Sequence, residues 1–323
     1  MSNVPEKHVL AEYVRILARG KNASRSMTFE EAEFTMSHML AGDFHPEQLG
    51  AILMLMRVKE ESPEELAGFA TAINKSWPDN VPFDLVWPSY AGKRRQPFWC
   101  LLSALLLNSM GYRILFHGSL AHTEGRMYLH EVFAELGLPA IKMADIESAP
   151  SLCYLPCDEL NPQLQRWLSL KAILGVRSPI NTILKTLAPQ GVASVQGVFH
   201  PNYSVTHVGG AALTGGNMLV MKGEGGEFEV NPERAVKASW HLNGESGNLV
   251  IENLKSHYED KPEGIGTDLL RQFWRGELDS EYARLAVINT AALALVTIRR
   301  SADIDTFIAE CTEAWNNRDR SRL

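Results

Sequence analysis

The sequence predicts an α/β protein with a small α-helical N-terminal domain and a larger α/β domain, whose mainly parallel sheet is connected by crossover helices. Residues 1–76 carry only helical patterns, whereas short apolar runs alternate with helical segments from residue 77 onward. The chain has 323 residues, a length that suits one large or two modest domains.

Four helices are predicted in the first seventy-six residues. Apolar side chains recur at helical spacing over 9–17, and Thr-Phe-Glu-Glu at 28–31 forms a capping box that opens the second helix. Pro46 begins the third helix. Ser-Pro-Glu-Glu at 62–65 combines a cap, a first-turn proline and a reciprocal glutamate, which together predict the start of the fourth.

From residue 77 onward, predicted strands alternate with predicted helices. Strands are predicted at 84–87, 112–116, 141–143, 192–199 and 218–222, and helices at 97–109, 124–136, 162–187, 282–299 and 303–315. This alternation is typical of a parallel sheet whose strands are joined by crossover helices.

Composition excludes several classes of protein. The net charge of -7 argues against a polyanion partner when the chain is taken as a whole. The N-terminus lacks a basic-then-apolar layout, so we expect no export signal, and we expect the apolar runs to be too short to span a membrane. The four cysteines have no metal or redox spacing, so we expect reduced thiols in a cytoplasmic protein without a metal or a cofactor.

The net charge is negative, but acidic residues are missing from two long intervals of the chain. No acidic residue occurs over 160–223 or over 85–123. The cations that remain in these intervals are Arg166, Lys171, Arg177, Lys185 and Lys222 in the first, and Lys93, Arg94, Arg95 and Arg113 in the second. Buried strands that exclude all charge would explain the missing acids but not the retained cations. The pattern therefore indicates a surface kept free of negative charge.

The stretch "SYAGKRRQPFWC" (89–100) follows a predicted strand and precedes an apolar run. Many α/β proteins place a glycine-rich phosphate loop at such a position. Here the loop has one glycine, Gly92, and three consecutive cations, Lys93, Arg94 and Arg95. A solvated surface turn is the alternative, but the acid-free interval around the triplet favours phosphate binding.

Two further groups of cations are candidates for phosphate contact. The first lies near the N-terminus, where a solvated helix face is the alternative interpretation, and consists of Arg15, Arg19, Lys21 and Arg25. The second lies on or beside the middle helices and consists of Lys171, Arg177 and Lys185.

Four segments carry a family resemblance: "LGAILMLMRVKEESPEELAGFATAI", "LGVRSPINTIL", "QGVFHPNY" and "LAVINTAALAL". With them the chain resembles the superfamily of anthranilate phosphoribosyltransferase and nucleoside phosphorylase, which is glycosyl transferase family three. The resemblance implies a helical dimerisation domain from 1–76 plus about 162–187, and an α/β domain from 77–161 and 188–323. It also implies a homodimer with a cleft between the domains.

Three family signatures are altered in this chain. The Gly-Thr-Gly-Gly-Asp loop, whose backbone approaches pyrophosphate, corresponds to 90–96 with its cations. Of the Lys-His-Gly-Asn-Arg signature only His117 and Gly118 remain, and the magnesium-holding Asp-Glu pair is replaced by Phe228 and Glu229. Glu227 and Glu229 alternate along a predicted strand face, where carboxylates hold a cation or, more commonly, are solvated.

The resemblance also implies a vestigial substrate cleft. Its residues are Gly92, His117, Gly118 and Asn289, and Arg177 matches a family position that contacts the aromatic acid substrate. Losing the glycine loop and half of the metal pair predicts that phosphoribosyl transfer has been lost.

The chain most resembles the non-catalytic, nucleic-acid-binding branch of the superfamily, the YbiB-type bacterial proteins. We therefore expect a homodimer that binds DNA and/or RNA through phosphate contacts with little sequence preference. The predicted contact residues are Lys93, Arg94, Arg95, Arg15, Arg19, Lys21, Arg25, Lys171, Arg177 and Lys185. The alternatives are an active phosphoribosyltransferase or nucleoside phosphorylase with a rearranged anion site, and a protein-binding scaffold.

Overall fold

The structure is a computed structural model that describes residues 6–20, 23–252 and 261–323. A helical N-terminal domain is followed by a larger α/β domain whose sheet is mainly parallel, and this confirms the predicted fold class. The order of elements follows from the local signals in the sequence.

The N-terminal helices are α1 (Ala11–Ala18), α2 (Phe29–Leu40), α3 (Pro46–Lys59) and α4 (Pro63–Asn74). The Thr28 hydroxyl caps α2 by accepting a hydrogen bond from the backbone N–H of Glu31 at 3.2 Å, and Ser62 caps α4 through Glu65 at the same distance. Both glutamates return a hydrogen bond to the capping residue, so the two predicted capping boxes are confirmed. A cap of this kind contributes about 1 kcal/mol to helix stability.

The α/β domain and the middle helices follow. The strands are β1 (Leu85–Ser89), β2 (Ile114–Gly118), β3 (Leu152–Pro156), β4 (Ala193–Val198), β5 (Met218–Lys222), β6 (Val236–Leu242) and β7 (Glu245–Ile251). The helices are α5 (Trp99–Ser109), α6 (Leu129–Leu136), α7 (Pro162–Ser169), α8 (Lys171–Leu174), α9 (Ile180–Ile183), α10 (Tyr203–Thr214), α11 (Thr267–Arg275), α12 (Glu281–Arg299) and α13 (Ile304–Asn316).

All of these strands belong to one sheet in the order β3-β2-β1-β4-β5-β6-β7. Strands β1 to β5 are parallel, and β6 and β7 extend the sheet with antiparallel pairing. The carboxyl ends of the five parallel strands therefore meet at one edge. In open α/β sheets this is the edge at which ligands bind.

One prediction about the sheet is wrong, and one hairpin was missed. The predicted strand at 141–143 is wrong, because this segment reaches the sheet only through an isolated bridge and Ile141 N–H bonds the Tyr154 carbonyl at 2.8 Å. The strand itself is β3, a short buried apolar run. The β6–β7 hairpin was not predicted, although its turn is Asn243-Gly244 with φ values of 50° and 86°, the dipeptide that suits such a turn.

Different sets of helices cover the two faces of the sheet. Helices α5, α12 and α13 pack on one face in a large apolar core. On the other face the N-terminal helices share a core with α7 and α9, including Trp167 and Ile183. The middle helices thus pack with the N-terminal ones, although more than eighty residues of chain separate them.

Helix α12 is long and apolar enough to cross a membrane by length and composition alone, which corrects the expectation that every apolar run is too short. Most of it is buried against α5, α13 and β4, as a core helix is. Its apolar character is thus explained by packing inside the α/β domain.

Candidate nucleic-acid interface

At the carboxyl edge of the sheet, the connections after β1, β2, β4 and β5 meet residues 171–186, and we call this region the cleft. Hydrogen bonds tie these segments together. Arg126, after β2, donates from Nη1 to the carbonyls of Ala91 and Gly92 at 2.8 Å each. Lys185, after α9, donates from Nζ to the carbonyls of Gly197 at 2.6 Å and Gly226 at 2.8 Å.

Lys93 does not contribute to the surface of this cleft, and its prediction as a phosphate contact is corrected. The side chain is 2% exposed and its ammonium forms an ion pair with Glu229, which is 0% exposed. Burial alone would lower the pKa of Lys93, but the Glu229 carboxylate raises it above its ordinary value. Glu229 also accepts a hydrogen bond from the Cys100 backbone N–H at 2.9 Å. Both charges are therefore satisfied internally.

Glu227 occupies the anion-binding position of the loop after β1. Its Oε1 accepts hydrogen bonds from the backbone N–H groups of Ala91 at 2.7 Å and Gly92 at 2.8 Å. Gly92 has φ +70°, a conformation that side chains rarely adopt, and successive N–H groups in such a turn form a concavity for an anion. The protein fills this concavity with its own carboxylate. The strand predicted to carry Glu227 and Glu229 is not formed there, and both side chains point to buried partners.

Arg126 is a cleft residue that the sequence pattern does not indicate. Burial lowers the pKa of its guanidinium, and the neighbouring charges of Arg177 and Arg94 lower it further. Because Arg126 follows Glu124 and lies outside both acid-free intervals, the charge pattern gave no reason to select it. Its two hydrogen bonds to the loop after β1 are visible only in the fold.

Lys185 lies near the charges of Arg177 and Arg126. Burial lowers the pKa of this half-buried lysine to about 8; Glu227 opposes the change, while Arg177 and Arg126 add to it. On the adjacent wall, burial lowers the pKa of His122, and the charges of Arg177 and Lys171 lower it further. The charges of these cations therefore influence the pKa values of neighbouring groups in the same region.

We call this group the cleft cluster. It consists of Arg94, Arg126, Lys171, Arg177 and Lys185. Four of the five were predicted as phosphate contacts. Within the described ranges, no acidic side chain forms an ion pair with any member of the cluster.

The other predicted cations lie elsewhere. Arg95 is exposed, and its carbonyl accepts a hydrogen bond from the Gly264 N–H at 3.2 Å. The N-terminal group includes Arg15, Arg19 and Arg25, which line a depression of about 200 Å³ together with two glutamates. Arg15 donates from Nε to Glu12 at 2.9 Å, and Arg25 forms a 2.6 Å ion pair with Glu31. Lys21 lies outside the described residues.

Comparison with known proteins agrees with this architecture. The helical bundle domain of a glycosyl transferase family matches residues 11–76. The chain is 28% identical to the uncharacterized protein YbiB of Escherichia coli (strain K12) over 94% of this chain and 98% of that protein. It is 26% identical to an anthranilate phosphoribosyltransferase of Thermus thermophilus over 73% of this chain and 70% of that enzyme. The crystal structure of a Thermus thermophilus anthranilate phosphoribosyltransferase (TrpD) is similar, with a TM-score of 0.77 at 20% identity, covering 96% of this chain and 94% of that one.

The chain belongs to the anthranilate phosphoribosyltransferase-like superfamily of glycosyl transferase family three. The relatives include both phosphoribosyltransferases and a protein without an assigned function. Membership in the superfamily therefore leaves catalysis to be argued from the residues of the cleft.

The residues expected to form the superfamily's vestigial substrate cleft have structural partners here. His117 is buried between the Tyr90 hydroxyl, 2.7 Å from Nδ1, and the Leu187 carbonyl, 3.1 Å from Nε2. Burial lowers its pKa to about 4, so the ring is neutral at pH 7. Gly118 is required because a Cβ there would overlap the carbonyl oxygen of Ser89. These contacts explain the retained His-Gly pair by packing.

Asn289 is buried in α12, away from the surface of the cleft. Its Nδ2 donates to the Leu285 carbonyl at 2.8 Å, and its Oδ1 has no hydrogen-bond partner among the described residues. Across the part of the chain that the structure describes, no group of three or more His, Cys, Asp or Glu side chains is arranged to hold a metal ion.

A separate cavity of about 940 Å³ lies between α4, α10 and the first residues of β4 and β5. Its lining includes Gln196 and His207, whose side chains meet at 2.6 Å, and Arg300 at its rim. It borders the amino ends of β4 and β5, and none of the cleft cluster lines it. This cavity is therefore distinct from the region of the cleft cluster.

Proposed function

We propose that this protein binds DNA and/or RNA with little sequence preference and that it does not catalyse phosphoribosyl transfer. The proposal includes the expected homodimer in the cytoplasm. The single observation that carries it is the internal pairing of Glu227 with the loop N–H groups, beside five cleft-cluster cations that have no ion pair among the described residues. An anion site for a small diphosphate is filled, while a positive surface is left for a larger polyanion.

The filled loop opposes binding of phosphoribosyl pyrophosphate. A pyrophosphate would need the N–H groups of Ala91 and Gly92, which already bond a buried carboxylate. Two anions at hydrogen-bond distance from the same donors repel each other strongly in a poorly solvated site. Binding would therefore require Glu227 to leave its partners.

The ion pair between Lys93 and Glu229 opposes magnesium catalysis. Stabilising a pyrophosphate leaving group commonly depends on a metal ion held by carboxylates. Glu229, the remaining carboxylate of the family's metal pair, is bonded to the Lys93 ammonium and to a backbone N–H. Lys93 thus supplies the positive charge that a metal would otherwise bring to this carboxylate.

The cleft cluster supports binding of a phosphate backbone. Each ammonium or guanidinium that contacts phosphate releases condensed counterions. The logarithm of the affinity therefore falls linearly with the logarithm of the salt concentration, with a slope proportional to the number of contacts. Lys185 uses two of its three N–H donors on carbonyls, which leaves one donor for a phosphate oxygen. Phosphate contacts position a strand without reading its sequence.

The test is a titration of labelled oligonucleotides at several salt concentrations. We expect a linear fall of log affinity with log salt, and a slope smaller by about 0.7 in magnitude for Arg94→Gln or Arg177→Gln on a single strand. Arg300→Gln removes the same charge at the opposite edge of the sheet and serves as the matched control. No measurable binding, or equal effects of all three variants, would contradict the proposal.

A further inference from the structure

Phe199 is an exposed aromatic side chain at the cleft. It directly follows β4, and 59% of its surface is open to solvent. A Cβ built on Gly226 would lie 3.8 Å from Phe199 Cδ2 and 3.8 Å from Lys185 Nζ. The ring and the ammonium thus approach the same point of the cleft. The His200 ring packs edge-on at 5.0 Å and helps to hold the phenyl ring.

Exposed apolar side chains also lie beside the cations of the cleft cluster along the chain. Between Lys171 and Arg177 the chain exposes Ile173, at 81%, and Val176, at 46%. The connection after β2 adds Leu120, whose N–H bonds the Gln165 side chain of α7 at 2.9 Å. Apolar side chains therefore alternate with the cations of the cleft cluster.

This combination distinguishes between forms of nucleic acid. A duplex presents phosphates outward and keeps its base faces stacked inside, so it can use only the cations. A single strand offers phosphates together with free base faces, which stack on aromatic side chains whatever the sequence. An exposed phenyl ring beside the cleft cluster therefore suits a single strand, which offers both phosphates and free base faces.

We propose that the cleft binds a single strand of nucleic acid, with one base stacked on Phe199 and the flanking phosphates on the cleft cluster. This inference rests on the proposed function and specifies its substrate. Ile173 and Val176 provide apolar contact for a neighbouring base. Duplex of the same length binds through the cations alone and more weakly per strand.

The first test needs only the unaltered protein. An adenine oligonucleotide is compared with a strand of the same length whose central residues are abasic, so that charge is kept and base faces are lost. We expect about tenfold weaker binding of the abasic strand with the same salt slope. A 2-aminopurine placed centrally should change its fluorescence on binding, as a base that stacks on a ring does. Equal affinity for both strands would overturn the inference while leaving phosphate binding intact.

The second test uses variants of the ring. Phe199→Leu should weaken binding of the single strand about tenfold, leave duplex binding within about twofold, and remove most of the difference between intact and abasic strands. Phe199→Trp should keep or increase single-strand affinity. Phe34→Leu, the same change at an exposed ring of α2, is the matched control. Equal loss on duplex and single strand would overturn the stacking role, whereas absence of any binding by the unaltered protein would remove the proposed function itself.

Discussion

The Lys93 ammonium meets the Glu229 carboxylate inside the α/β domain, where both side chains are almost fully shielded from water. The two residues lie 136 positions apart in the sequence. Their contact joins the loop after β1 to the segment after β5, the two places that correspond, by the family resemblance, to the pyrophosphate loop and the magnesium-holding pair. The same two residues thus stabilise the fold and, as we propose, prevent Glu229 from holding a metal ion.

Lys93→Ala should be strongly destabilising, because it leaves the Glu229 carboxylate buried without a counter-charge. Removing one partner of a buried ion pair typically costs about 3–5 kcal/mol of unfolding free energy. Denaturant unfolding at pH 7 measures this cost. Lys93→Met combined with Glu229→Met should recover much of it, because no unpaired charge remains. A single variant as stable as the parent would show that the pair is not formed.

Glu227→Ala should create a site for small anions. The change frees the N–H groups of Ala91 and Gly92, at a cost of about 1–3 kcal/mol for buried donors left unsatisfied. Inorganic phosphate should then raise the unfolding temperature of the variant but not of the parent, with chloride at equal ionic strength as reference. Glu224→Ala, a change in the same connection, is the control. Equal stabilisation of both variants would contradict the role assigned to Glu227.

Catalysis is tested directly by mixing the protein with magnesium, phosphoribosyl pyrophosphate and a panel of aminobenzoates or bases. We expect no pyrophosphate release above the rate without protein, because Glu227 and Lys93 hold the anion and metal positions. Release that depends on protein concentration would instead support the rearranged phosphoribosyltransferase. The anthranilate phosphoribosyltransferase of Thermus thermophilus is the positive control.

Helix caps and tight turns depend on residues close together in the chain, so the sequence alone can predict them. The capping boxes at Thr28 and Ser62 each involve side chains only three positions apart, and both form as predicted. The Asn243-Gly244 turn was equally visible in the sequence and would have predicted the β6–β7 hairpin. The strand at 141–143 failed because β-structure depends on pairing with a distant segment, which apolar character alone does not specify.

The site was less predictable, because its decisive contacts join distant parts of the chain. The sequence shows Lys93, Arg94 and Arg95 as one basic triplet, but only the fold shows that Lys93 turns inward to Glu229. Arg126 joins the cluster through two backbone carbonyls of another loop. The acid-free intervals contain four members of the cleft cluster, Arg94, Lys171, Arg177 and Lys185, so this part of the cluster was visible in the charge pattern.

A length series tests the homodimer. Two clefts on one dimer can bind the same long strand, and the second contact then benefits from a high effective concentration. Affinity should rise steeply once an oligonucleotide is long enough to reach both clefts, whatever its sequence. Arg177→Gln should reduce this gain more than it reduces binding of short strands, because it weakens both contacts. A smooth curve without such a rise, together with a monomer in solution, would contradict the bivalent arrangement.

The ionisation of Lys185 predicts a specific pH dependence of binding. Its pKa in the free protein is about 8, lowered by burial from the ordinary value of 10.5. Below pH 8 the ammonium is already charged, so affinity for a phosphate should not change with pH through this group. As the pH rises above that value the free protein loses the proton, whereas a bound phosphate favours the charged form. Affinity should therefore fall by up to about tenfold per pH unit above the pKa.

Titrations with an adenine oligonucleotide between about pH 7 and about 9.5 measure this effect, with calorimetry in two buffers to detect proton uptake on binding. Lys185→Arg should bind without the fall, because a guanidinium stays charged throughout this range. Lys185→Met should bind more weakly at neutral pH and show no pH dependence from this position. If the parent and Lys185→Arg proteins gave the same pH profile, the charge of Lys185 would have no part in binding the strand.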